Sequence, residues 1–166
     1  MIVEDAQLVV SSAGQGSVGA GPQRMTTTTL AWDGSVITLT EESIAAPVYR
    51  YHTFLDGDRT LSTGDATKAE ALFRSVIEDD GLDQWGALVS AEDERLWLEA
   101  LAWWRLMIVD ALAGNVEAMR GDYAAIVGLD LEAAGAPVQV LAERFQRSFE
   151  RDGDWVAACT YAVDAP

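Results

Sequence analysis

The pattern of apolar and polar positions changes character near residue 47. Before it, runs rich in Thr and Val, punctuated by Gly and Ser, read as strands; after it, Ala, Leu, Trp, Glu and Arg dominate and apolar residues recur at helical spacing. Residues 7–11 (QLVVS) form a short strand candidate, followed by a glycine-rich loop over 14–22. Residues 23–32 and 35–41 flank Asp33-Gly34, a pair that tolerates positive φ and so suits a two-residue hairpin turn. Such a turn sets Trp32 opposite Ser35, Leu30 opposite Ile37 and Thr28 opposite Leu39, one largely apolar face. Thr27, Thr29, Thr38 and Thr40 fall on the other face. A two-stranded ribbon is marginal alone, so it should pack on helices or continue a larger sheet.

From residue 48 onward the signals come in helical pairs. Tyr51, Phe54, Leu55 and Leu61 make a weak stripe that ends at Gly64-Asp65; Ala69, Leu72, Phe73, Val76 and Ile77 follow at helical spacing. Ser90 with Asp93 resembles a capping box, opening a long helix with Leu96, Leu101, Ile108 and Leu112 inward and Gly114-Asn115 as its stop. A shorter helix carries Met119, Tyr123, Ile126 and Val127 inward. Pro137 suits the first turn of the next, with Leu141, Phe145 and Phe149 inward up to Gly153-Asp154, and a last helix runs from Trp155 towards Pro166. The joint Gly-[Asp/Asn] therefore recurs three times, unevenly spaced. Its Gly suits the left-handed position that ends one helix, and its Asp or Asn caps the next. The predicted fold is mainly α with an N-terminal β-hairpin, an α+β arrangement of a hairpin segment (1–47) and three αα-hairpins (48–166).

Composition then removes function classes. With 27 acidic and 11 basic side chains the net charge is −16, so phosphate backbones and anionic headgroups are repelled and no nucleic-acid partner is expected. Apolar residues make up 49% of the chain, enough for a core. One His and one Cys leave no His- or Cys-cluster zinc site and no intrachain disulfide. Cys159 reads as a small buried residue of the last helix, with an intermolecular half-cystine or a reactive thiol as alternatives. Lys68 is the only lysine, a bias read as the codon usage of a GC-rich, bacterial genome. Residues 96–113 approach the length of a membrane span, but Glu99, Arg105 and Asp110 are spread along them. A helix buried on nearly every side fits better. The start Met1-Ile2-Val3-Glu4-Asp5 lacks the basic and apolar runs of a leader, which fits a cytoplasmic protein if Met1 is the native start.

Candidate chemistry is sparse. His52 has no Ser or Cys partner assignable from the sequence and reads as a packing or surface residue. Asp56-Gly57-Asp58 and Asp79-Asp80 invite a metal reading. An EF-hand counted from Asp56 nevertheless places Leu61 where Gly belongs and Thr67 where Glu belongs, so only a weak surface Ca²⁺ cluster remains. Gly14-x-Gly16 and Gly19-x-Gly21 are followed by no Lys-Ser/Thr and open no helix, so they are not phosphate loops. No catalytic residue, metal ligand or cofactor is assigned. The tryptophans say more. Trp103 and Trp104 lie about 100° apart around their helix, so they cannot both point the same way, and Trp97 lies on the same helix. Either that helix is enclosed or one indole faces a partner. Trp97, Trp104, Arg105 and Tyr123 are the candidate contact residues.

The stretch LDGDRTLSTGDATKAEALFRSVI, residues 55–77, resembles a tetratricopeptide unit. Gly57 precedes the joint Gly64 by seven residues, and Ala69 and Phe73 occupy the small and aromatic positions. The units around Gly114 and Gly153 match less well: Met107 and Gln146 stand at the small position of the first helix, and Met119 replaces the Ala of the second unit. The resemblance, over residues 51–164, implies helical hairpins that present a groove between first helices to a peptide or protein. The segment TTTTLAWDGSVITLTEE is similar to a hairpin of secreted bacterial FG-GAP-like proteins that continue into such helices, which implies an extracytoplasmic or cell-envelope location. The leading expectation is a non-catalytic interaction module. The alternatives are a structural accessory domain of a larger extracytoplasmic enzyme or sugar-binding protein and, behind it, a hydrolase using carboxylates.

Overall fold

A computed structural model describes residues 6–13, 21–87, 89–131 and 136–164; the glycine-rich stretch over 14–20 and Pro166 lie outside them. The chain divides into two compact units, residues 1–47 and 48–166.

The first unit is a three-stranded antiparallel sheet, β1 (Ala6–Ala13), β2 (Met25–Trp32) and β3 (Ile37–Ile44), in the order β1-β2-β3. The expected short strand is thus a full member of the sheet. The hairpin at Asp33-Gly34 forms, but its loop has four residues, not two. The Asp33 carboxylate accepts the N–H groups of Ser35 (2.8 Å) and Val36 (2.9 Å), and these donors hold it below the usual carboxylate range. Gly34 takes φ of +97°, and Val36 is drawn into the turn. The register accordingly moves by two residues, to Trp32 opposite Ile37 and Leu30 opposite Leu39. Because the shift is even, the apolar side chains stay on one face. A β-bulge between Thr29 and Leu30 then sets Thr29 opposite Glu41.

The second unit contains α1 (Arg50–Ser62), α2 (Ala66–Glu78), α3 (Ala91–Ala113), α4 (Val116–Gly128), α5 (Ala136–Asp152) and α6 (Trp155–Asp164). The fold is therefore mainly α with a small β-sheet. α1 packs on α2, α3 on α4 and α5 on α6, while α3 also touches α1, α2, α5 and α6. Local chemistry sets the joints. Gly64, Gly114 and Gly153 take φ of +90°, +72° and +68°. Asp65 accepts the N–H of Lys68, Asn115 that of Ala118, and Asp154 those of Val156 and Ala157. Ser90 likewise accepts the Asp93 N–H at 3.1 Å at the start of α3.

The core lies in two clusters bridged by α3. One joins Phe54, Ala69, Phe73, Val76, Leu98 and Leu106; the other joins Trp104, Met107, Met119, Ile126, Phe145, Phe149 and Ala158. The stripe expected on α3 is not the buried one. Leu98, Leu106, Met107 and Val109 are inside, whereas Leu96, Leu101 and Ile108 are half-buried and Leu112 is exposed. Val127, expected inward on α4, is also exposed. An almost uniformly apolar helix gives no period from which to choose a face. Among the described residues, no helix is long and apolar enough to cross a membrane.

Gly57 shows why a side chain is excluded on the inner side of α1. A Cβ there would stand 2.6 Å from Cε1 of Phe73, a ring with no exposed surface. Gly57→Ala should therefore destabilise the protein by about 1–2 kcal/mol in urea denaturation, although Ala is the better helix former. An unchanged midpoint would mean that the ring has room to move.

Arg50, at the start of α1, is buried. Its guanidinium donates to the carbonyls of Val76 and, at 2.8 Å, Asp79, the last turn of α2, and its backbone N–H donates to Asp83 O at 2.8 Å. Glu94, also buried, accepts the N–H groups of Trp85 (2.9 Å) and Gly86 (2.6 Å). The two side chains anchor opposite ends of the α2–α3 connection.

Candidate functional site

Helical spacing builds one groove from three helices distant in sequence. Asp58, Leu61 and Ser62 share a face of α1; Arg105, Ile108 and Leu112 share a face of α3; Trp155 and Cys159 share a face of α6. Together with Arg59 they line a groove of about 760 Å³. A second hollow, of about 910 Å³, is a seam within the α5–α6 hairpin; two of its lining residues, Glu143 and Arg147, are ion-paired to each other. The three-helix groove is the better candidate because it joins apolar walls to a polar centre and because every wall comes from a different hairpin.

Its centre is the Arg105–Asp58 pair. Arg105 Nε and Nη2 donate to the two Asp58 carboxylate oxygens at 2.6 and 3.2 Å, and the guanidinium lies 5.9 Å from the centroid of the Phe54 ring. Both side chains are about one-third exposed or less, so the pair is partly screened from solvent yet open to the groove. Around it, Leu112 and Trp155 are exposed and the half-buried Ile108 completes the apolar lining. The Cys159 thiol is pushed above its ordinary value by burial, with Arg105 acting the other way. It is therefore protonated at neutral pH and poorly suited to nucleophilic attack.

The four contact residues proposed from the sequence do not share one surface. Arg105 lies in the groove. Trp97 is 44% exposed towards the N-terminal end of α3. Trp104 is a correction: it is 6% exposed, its ring edge-on to Phe145 at 5.2 Å, and it belongs to the core. Trp97 and Trp104 lie on nearly the same side of α3, about 20° apart. Trp104 packs into the core cluster that α5 supplies through Phe145, and Trp97 belongs to neither cluster. Tyr123 is half-buried against that same core. The groove residues that sequence reasoning missed are Asp58, Leu112, Trp155 and Cys159. The i, i+3, i+7 spacing of Arg105, Ile108 and Leu112 was a legible signal, but nothing in the sequence joins α1 and α6 to it.

Elsewhere, the titratable groups that invited a chemical reading have neighbours within the fold. His52 is buried and edge-on to Tyr49 at 5.5 Å. Asp56 pairs with Arg59 at 3.8 Å, and Asp79 accepts the Gly81 N–H at 2.8 Å. Among the described residues, no group of three or more His, Cys, Asp or Glu is placed to hold a metal ion. One carboxyl stands apart. Asp122 on α4 is 5% exposed, and one of its oxygens, Oδ2, has no hydrogen-bond partner. Burial and the neighbouring Asp110 carboxyl of α3 push it up to about 8, opposed by Arg74 and reinforced by Glu70 of α2. Comparisons with known proteins give no further handle, since no family model, curated protein or solved structure matches the chain.

Proposed function

We propose that the helical unit is a non-catalytic interaction module, TPR-like in its use of helical hairpins, that holds a protein or peptide segment in the α1–α3–α6 groove. The observation that supports this reading is the exposure of Leu112 and Trp155 beside a bidentate Arg105–Asp58 pair. Exposed Leu and Trp side chains in a concavity provide area to bury, and a fixed polar pair orients what lands there. Trp and Arg are also the side chains on which interface energy concentrates. No cofactor or nucleic acid enters this reading, since the net charge of −16 disfavours a phosphate backbone.

Selection from a displayed peptide library on the full chain tests it. Enriched peptides should carry at least one large apolar anchor and compete with one another for a single site. Leu112→Asp and Trp155→Ala should each weaken their binding by about thirtyfold, the equivalent of about 2 kcal/mol, while Trp97→Ala leaves it unchanged. Binding that ignores both groove substitutions, or depends on Trp97 instead, would reject the groove as the site.

A further inference from the structure

Two carboxyls among the described residues are buried, and the fold treats them differently. Glu94 accepts two backbone N–H groups, at 2.9 and 2.6 Å. Asp122 has an oxygen, Oδ2, that no donor among the described residues reaches. The charged groups facing it come from α2 and α3. Asp110 of α3 and Glu70 of α2 repel a negative charge there, and Arg74 of α2 attracts it. Arg74 is already bonded to Glu70, at 3.0 Å. Asp110 offers an acceptor, and itself takes the Asn115 side chain at 3.5 Å. α5, also packed on α4, brings Glu150, which is paired with Arg120 at 2.6 Å, about 200° around α4 from Asp122. A carboxyl so placed is suited to its neutral form, which carries no charge into the core and can donate to Asp110.

We propose that α4 is a proton-operated latch: protonated Asp122 seats it against α3, and loss of that proton to solvent releases it while the cluster formed by α1, α2 and α3 stays folded. The divided core allows a local release. α4 contributes Met119 and Ile126 to one cluster, whereas the cluster of Phe54, Phe73, Val76, Leu98 and Leu106 contains, among the described residues, none from α4. The joint at Gly114-Asn115, with Gly114 at φ of +72°, is the hinge. The direction follows from the two environments. Seated, Asp122 titrates at about 8; released into water it titrates at about 3.9, so each opening between those values gives up a proton. Acid therefore holds the latch shut. Each unit of rising pH within the window multiplies the opening constant by up to about ten.

Amide hydrogen exchange on the full chain, read residue by residue between a pH of about 5 and 7, tests the latch. Exchange at residues 119–126 should climb about a hundredfold per pH unit, tenfold from hydroxide catalysis and tenfold from opening. At each pH these amides should be less protected than the core amides of α1 and α2. Asp122→Asn should reduce the climb at residues 119–126 to about tenfold per unit. Asp110→Asn, which gives the Asp122 carboxylate a donor, should end the steep climb at a lower pH. Protection of α4 equal to that of α1 and α2 overturns the proposal, since α4 would then open only with the whole chain. A tenfold climb in the parent overturns it too, as does a steep climb that survives Asp122→Asn or an upper end that Asp110→Asn leaves unmoved.

Discussion

Asp122→Asn should make the protein more stable than its parent at a pH of about 8.5 and leave the two nearly equal at about 4.5. The buried Asp122 carboxyl has an oxygen with no donor, and its neighbour Asp110 is a second carboxyl. Burial and the Asp110 carboxyl disfavour ionisation of Asp122, and the charge of Arg74 opposes them without reversing the shift. A proton on Asp122 neutralises that carboxyl and lets it donate to Asp110. The sign follows directly. Asp122 titrates at about 8 in the folded chain and at about 3.9 when unfolded, so folding takes up a proton between those values. The stabilisation is complete below the unfolded value and is lost as pH rises through the folded one. Within that window the slope approaches about 1.4 kcal/mol per pH unit, the limit for one proton. Asn is the same size, is never charged and can donate to Asp110, so the variant should lose this slope. Urea denaturation across the pH range, compared as the difference between variant and parent, measures it. Parallel curves would mean that Asp122 is ionised in the fold. Asp110 lies between the groove residues Ile108 and Leu112, so loss of the Asp122 proton would loosen the α3–α4 hairpin beside the groove.

Arg50→Ala should cost about 3 kcal/mol or more, with the denaturant slope unchanged. Arg50 is 2% exposed, and its guanidinium satisfies two carbonyls at the C-terminal end of α2, where the helix dipole places negative charge. Removing it leaves the buried Val76 carbonyl and the part-buried Asp79 carbonyl without these donors and opens a cavity under the α2–α3 connection. Arg50→Lys should recover only a minor part, since one ammonium cannot reach both the Val76 and Asp79 carbonyls as the planar fork does. A loss below about 1 kcal/mol for Arg50→Ala would show that water replaces the guanidinium there.

Taken by itself, the sequence determined what is decided within a few residues. The three Gly-[Asp/Asn] joints, the Ser90 start of α3 and Pro137 in the first turn of α5 are local chemistry: a backbone needing positive φ, or an orphan N–H accepting a nearby side-chain oxygen. The Asp33-Gly34 turn was legible for the same reason, but not its length. The Asp33 carboxylate reaches the Val36 N–H, and only the folded turn shows that this bond outweighs a two-residue loop.

Tertiary structure decided everything that depends on a distant neighbour. α3 is apolar on most sides, so burial of Leu98 and exposure of Leu112 were set by where α1, α2, α4 and α5 happen to cover it. Trp97 and Trp104 are seven residues apart on one side of a helix, yet their fates differ because Phe145 lies against only one of them. The buried charges were hidden most completely. Arg50 and Asp122 look like ordinary surface residues in the sequence, because what makes their burial tolerable, the end of α2 for one and the Asp110 carboxyl for the other, arrives from another helix. The Arg105–Asp58 pair is of the same kind. Periodicity reports which side of an element is apolar, and the partner that a charge finds across the fold leaves no trace in the spacing of either chain segment.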